Sequence, residues 1–197
     1  GKKEKKPEIR QEACLYDFSP RGIDLQSFPY NIWRKLTKNT LIDNNKELFE
    51  LGDPRGDNTL REIICQYLHQ ARGVNCSPEQ IIIGAGNEYL LMRLSQLLPS
   101  SCKIAMENPT YRQAYRILKG LGHKIVPISM DEYGMDINQL KKSKALVSYV
   151  MPSHQFPLGI VMPIKRRMEL LAWAGEEERY IIEDDYDSEV RYRGKPI

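Results

Sequence analysis

Residues 183–185 read Glu-Asp-Asp, directly after the apolar pair Ile181 and Ile182. Adjacent carboxylates repel one another, and burying an ionised one costs roughly several kcal/mol unless a cation waits beside it. A ligand that brings its own positive charge, such as a protonated ring nitrogen, lets one of these acids face inward. The others then meet solvent or cap backbone groups. Three further stretches carry residues suited to chemistry. Gly84-Ala85-Gly86-Asn87 follows Ile81–Ile83 and opens onto a helical pattern. Free N–H groups at a helix start attract anions, and glycine lets a phosphate come close. Taken alone this is a weak signal. It is not GxGxxG, since position 89 is Tyr, and no Walker lysine follows. Tyr111, two residues after Pro109, offers either a core ring or a platform for a planar ligand. His154 and Gln155 lie in "PSHQFPLG". No second His or Cys stands at metal spacing from His154, which argues against zinc there.

These stretches need a scaffold that aims them at one place. From position 80 onward, short apolar runs alternate with helical patterns of 10–15 residues. Strands are expected at "QIIIGAG", "KIAMENPTY", "HKIVPISM", "KALVSYVM" and "YIIEDD". Helices are expected at "NEYLLMRLSQLL", "RQAYRILKGLG", "GMDINQLKKS" (with Asp136 at its start) and "PIKRRMELLAWAGEEE" (with Pro163 near its first turn). Alternation of this kind means βαβ units and a mostly parallel sheet. The runs are continuously apolar, as when helices cover both faces. The expected fold is therefore α/β, with three α/β/α layers. Ligands of such sheets bind beyond the carboxyl ends of the strands, where all four stretches fall.

The amino-terminal part reads differently. "YNIWRKLTKNTLI" has helical spacing through Ile32 and Leu36, with Trp33 beside them. After the Pro54–Gly56 turn, Asp57 or Asn58 is placed to cap a helix. Leu60, Ile63, Ile64, Tyr67 and Leu68 share one face of that helix, and Gly73 ends it.

Composition bounds the function. The 197 residues are 41% hydrophobic and 28% charged, as in ordinary globular chains. A net charge of +3 is too small to argue for nucleic acid. Five Lys or Arg among the first ten residues read as a solvated linker. Cys14, Cys65, Cys76 and Cys102 form no CxxC pair, and their spacing fits neither a zinc site nor a disulfide scaffold. No run approaches the roughly 18 apolar residues that span a bilayer, and the charged start lacks a signal peptide's apolar region. The expected location is the cytoplasm.

Together the four strand ends resemble the large domain of fold-type I pyridoxal phosphate enzymes, the aspartate aminotransferase superfamily. "DFSPRGIDLQSFPYNIWRK", "GDPRGDNTLREII", "PSHQFPLG" and "IIEDDYDSEVRY" are similar to the aminotransferase-like domain of GntR-linked regulators of the MocR/GabR type. The resemblance runs from about Tyr16. It implies that residues 1–15 are the end of an interdomain linker and that 16–197 are part of the large domain. It places Gly86 and Asn87 at the phosphate of pyridoxal 5'-phosphate, Tyr111 on its ring, and Tyr186 at its phenolic oxygen. Asp184 would pair with the ring nitrogen, because the motif sets the acid two residues before the tyrosine.

Some residues depart from the pattern. Phe156 stands where aminotransferases carry Asn, with Gln155 or His154 as candidate substitutes. Leu51 stands where many relatives have the Tyr that reaches the partner's phosphate. The family's cofactor lysine is expected beyond this stretch, so the sequence is expected to be part of a longer protein. By itself it should neither transaminate nor hold the cofactor covalently. The implied function is a homodimeric sensor of an amine or amino acid, bound to DNA through a winged-helix domain outside these residues. A fold-type I aminotransferase is the alternative.

Overall fold

The computed structural model describes Tyr16, residues 24–187 and Glu189. The basic run 1–15 lies outside the described residues. The chain divides into two compact units, 1–51 and 52–197. The first holds helix α1 (Tyr30–Thr40) and a 3₁₀ stretch, Asp43–Phe49. The Phe28 ring stacks on Trp33 at 5.8 Å.

The second unit begins with α2 (Asn58–Arg72). Asp57 caps it, accepting from the Leu60 amide at 2.8 Å, and Gly73 closes it in the left-handed conformation at φ +64°. The expected apolar face divides: Leu60, Ile63 and Tyr67 are exposed, whereas Ile64 and Leu68 are half-buried on the side of the buried Arg61 and Cys65. Hydrogen bonding explains the difference. The Arg61 guanidinium donates to Gly56 O, Pro78 O, the Asp53 carboxylate and Asn58 Oδ1. A buried charge so well satisfied fixes which face turns inward.

After α2 come α3 (Asn87–Leu97), β1 (Lys103–Asn108), α4 (Arg112–Gly120), β2 (Lys124–Asp131) and β3 (Gly134–Met135). Then follow α5 (Ile137–Ser143), β4 (Val147–Val150), α6 (Ile164–Glu176) and β5 (Tyr180–Glu183). Among the described residues the sheet runs β3-β2-β1-β4-β5. All neighbours are parallel except β3, which pairs antiparallel with β2. Asp136 caps α5, accepting from the amides of Asn138 and Gln139.

Burial on both faces follows from the alternation of side chains along each strand. Ile104, Met106, Val147 and Tyr149 pack on one face with Leu91 of α3 and Ala114 and Leu118 of α4. Ala105 and Val150 pack on the other with Leu140 of α5 and Leu170 and Trp173 of α6. This is the expected three-layer α/β/α arrangement. One expected strand differs. Ile81–Ile83 has no strand partner among the described residues, and its one ladder-like bond runs from the Ile83 amide to Arg55 O. A strand exists only within a ladder. Here Ile82 and Ile182 of β5 both line a cavity of about 370 Å³ instead of pairing.

Candidate functional site

The order β2-β1-β4-β5 carries the ends of three parallel strands to one rim, and the turn before α3 joins them there. At that rim lies a cavity of about 320 Å³, lined by Asn87, Tyr111, Met151, Phe156, Asp184 and Tyr186. Four of the five residues singled out in the sequence therefore line one cavity. Gly86 is not among the lining residues. It is the N-cap of α3, immediately before Asn87.

Asp184 sits just past β5, and its amide continues the parallel ladder by donating to Val150 O at 2.9 Å. That bond fixes which of the adjacent acids turns toward the cavity. Its Oδ2 accepts from Asn87 Nδ2 at 3.0 Å and from the Tyr149 hydroxyl. Burial, reinforced by the Asp184 hydrogen bond and charge, pushes the Tyr149 phenol far above its ordinary pKa. Tyr149 thus remains a donor at any physiological pH. The other acids go elsewhere: Asp185 pairs with Arg72 at 2.9 Å, and Asp187 lies 2.6 Å from His154 Nδ1.

Opposite the acid, Tyr111 is the N-cap of α4, and its ring meets Phe156 edge-on at 6.3 Å. The Tyr186 ring stacks near His154 at 6.0 Å, and its hydroxyl lies 3.2 Å from His154 Nδ1. Burial, with the charges of Asp187 and Asp184, raises the Tyr186 pKa. The α3 N-terminus offers no side-chain cap, because Gly86 has none to give. Its first-turn amides lie beside the cavity at Asn87. Gly86 adopts φ +89° and ψ 167°, a conformation almost exclusive to glycine. Gly86→Ala should therefore cost about 1–3 kcal/mol, although an added Cβ would meet open space. Urea unfolding checks this, and an unchanged midpoint would refute it.

Two expected substitutes for the missing Asn are otherwise engaged. Gln155, 2% exposed, donates to Pro109 O and Phe156 O and accepts from the Leu158 amide. Both ends of its amide brace the loop. His154 is held by Asp187 and Tyr186. The wall at Phe156 is thus apolar.

Sequence reasoning missed Tyr149, Met151 and Glu107. A tyrosine inside the buried run "VSYV" carries a polar tip that must find a partner, and that was the available signal. Glu107 is 2% exposed on β1, and its Oε2 lies 3.4 Å from the Met151 amide.

Residues 24–186 match the sequence profile of the family "Aminotransferase class I and II". The chain belongs to that family. It is 45% identical over 193 residues to the uncharacterized HTH-type transcriptional regulator YdeL of Bacillus subtilis, covering 96% of this chain and 42% of that protein. It is 40% identical over 184 residues to the HTH-type pyridoxine biosynthesis transcriptional regulator PdxR of Corynebacterium glutamicum, covering 93% of this chain and 39% of that one. The chain thus spans about two-fifths of the length of these curated relatives. Among solved structures, the kynurenine aminotransferase of Pyrococcus horikoshii in complex with PMP superposes with a TM-score of 0.77. The match has 27% identity and covers 87% of this chain and 45% of that one. This aminotransferase-like domain contains no described helix long and apolar enough to cross a membrane.

Proposed function

We propose that this aminotransferase-like domain is the sensing part of a GntR/MocR-type transcriptional regulator, binding pyridoxal 5'-phosphate and responding to an amine or amino acid. The observation that carries the reading is the Asp184 carboxylate, braced by Tyr149 and Asn87 at the wall of a cavity that also holds Tyr111 and Tyr186. The residues fit the group. A fixed acid meets a ring cation, an aromatic face meets a flat ring, and an uncapped helix start meets a phosphate. When bound, the cofactor supplies an electron-withdrawing ring and an aldehyde that reacts with amines.

In this reading Asp184 keeps the ring nitrogen protonated, and Tyr149 and Asn87 orient Asp184. Tyr111 stacks on the ring, Tyr186 hydrogen-bonds its phenolic oxygen, and the backbone at Gly86 and Asn87 takes the phosphate. Phe156 and Met151 exclude water. The regulators at 40–45% identity are named HTH-type, which supports a parent protein that reaches DNA. In this reading it does so through a winged helix, as a homodimer in the cytoplasm.

The second reading, a fold-type I aminotransferase, is favoured by the solved structures, which are enzymes. The apolar Phe156 wall and the engaged Gln155 weigh against it. Titration of pyridoxal phosphate followed by tryptophan fluorescence should saturate, and Tyr111→Ala should weaken binding about tenfold, the worth of a good ring contact. No saturable binding overturns both readings. In the full-length parent, accumulation of a keto acid when amino acids are added selects the enzyme, whereas a spectral change without product selects the sensor.

A further inference from the structure

Away from the cavity, the carboxyl end of α2 carries a cluster that the proposed function does not use. Cys65 and His69 stand one helical turn apart, four residues, which puts them on the same face. Gly73, left-handed at φ +64°, turns the chain back so that Cys76 returns against that face. The Cys65 and Cys76 sulfurs lie 3.8 Å apart. Cys65 Sγ lies 3.1 Å from Cys76 O, and His69 Nε2 lies 3.2 Å from the same carbonyl. The ligating atoms of all three side chains fall within 4.8 Å of one another. Cys65 is buried, Cys76 half-buried and His69 exposed.

We propose that Cys65, His69 and Cys76 bind a thiophilic divalent metal ion of the zinc class, with a fourth position open to solvent. Geometry favours a metal over a disulfide. Zinc–sulfur bonds of about 2.3 Å at the tetrahedral angle hold two sulfurs about 3.8 Å apart. A disulfide needs about 2.05 Å and leaves the histidine without a role. The third ligand closes cheaply, because the exposed imidazole has only to rotate from the Cys76 carbonyl toward the sulfurs. Both thiols ionise on binding. One Zn²⁺ enters, two thiol protons leave, and neutral His69 gives a lone pair. The hydrogen bond from the Cys65 thiol to Cys76 O is lost with its proton and replaced by the metal bond. A sequence search by CxxC spacing passes over this set, because two ligands come from one helical turn and the third from the return of the chain. The ion would tie the end of α2 to residues 74–77.

Metal-free, reduced protein tests this with Zn²⁺ alone against a chromophoric chelator, and with Co²⁺ by absorption. One equivalent should bind with release of two protons, and the cobalt form should show a sulfur-to-metal charge-transfer band. Cys76→Ser, at a half-buried loop position, should weaken binding about a hundredfold, and His69→Gln about tenfold, as expected for losing a thiolate or an imidazole. Cys102→Ser should change nothing. Far-ultraviolet circular dichroism verifies that each variant is folded. Absence of stoichiometric binding, a cobalt spectrum without the sulfur band, or full binding by folded Cys76→Ser overturns the site. So does air oxidation to a Cys65–Cys76 disulfide in protein that takes up no metal.

Discussion

Asp184→Ala is expected to weaken pyridoxal phosphate binding about 30- to 1,000-fold, the equivalent of about 2–4 kcal/mol for losing a charge-assisted, partly buried partner. The reason lies in how the acid is held. Its amide extends β5, and its Oδ2 takes hydrogen bonds from Tyr149 and from Asn87 Nδ2. The carboxylate is therefore positioned before any ligand arrives, so little of its interaction energy is spent on ordering it. Removal has a second consequence. The Tyr149 hydroxyl is left without its partner in a buried place, at about 1–3 kcal/mol. Two variants separate charge from bracing. Asp184→Asn keeps an oxygen for Tyr149 but removes the charge, and should lose most of the affinity with little stability. Tyr149→Phe removes the brace but keeps the charge, and should lose stability with a smaller loss of affinity. Fluorescence titration and urea unfolding on the same samples read both quantities. If Asp184→Asn binds as tightly as the parent sequence, the acid merely braces its own turn.

The sheet was legible because its strands are buried twice. Ile104–Met106 and the "VSYV" run are almost wholly apolar, and the structure divides Ile104, Met106, Val147 and Tyr149 from Ala105 and Val150 between two clusters, as a sheet covered on both sides requires. Asp136 announced α5 by its capping chemistry. The convergence of Asn87, Tyr111, Asp184 and Tyr186 was legible for a topological reason: parallel strands point their carboxyl ends the same way, so residues far apart in sequence meet at one rim. What stayed hidden depends on pairing between distant groups. Ile81–Ile83 has the composition of a strand, but composition cannot supply the neighbour a ladder needs. The apolar stripe of α2 marked the inward face only through Ile64 and Leu68, because Arg61 found four acceptors that no periodicity encodes. Gln155 resembles a ligand-binding amide until its three hydrogen bonds to the surrounding backbone are counted.

Glu107→Gln should remove a fall in stability between about pH 5 and about pH 8. Glu107 is buried on β1, and burial pushes its carboxyl from 4.5 up to about 7, against the weaker opposing pull of the Met151 amide and the Gln155 side chain. Below pH 4.5 both folded and unfolded chains carry the proton, and the residue contributes no pH dependence. Between 4.5 and about 7 the unfolded chain releases the proton while the folded chain retains it. Rising pH then favours unfolding. Above about 7 both forms are ionised and the penalty is constant. The shift corresponds to at most about 3 kcal/mol at 1.36 kcal/mol per pH unit. The carboxylates held low by partners, Asp53 and Asp131 among them, act in the opposite direction. They gain their stability as they ionise at lower pH, so they are already ionised at pH 5. The variant is neutral throughout and offers Met151 an amide oxygen in place of the carboxylate. The difference between the two proteins cancels the histidines common to both and isolates Glu107. Urea midpoints measured at both pH values should converge near pH 5 and separate by pH 8, with the Gln variant the more stable. Parallel curves would mean that Glu107 is ionised in the folded protein well below pH 7, and that the Met151 amide and Gln155 outweigh its burial.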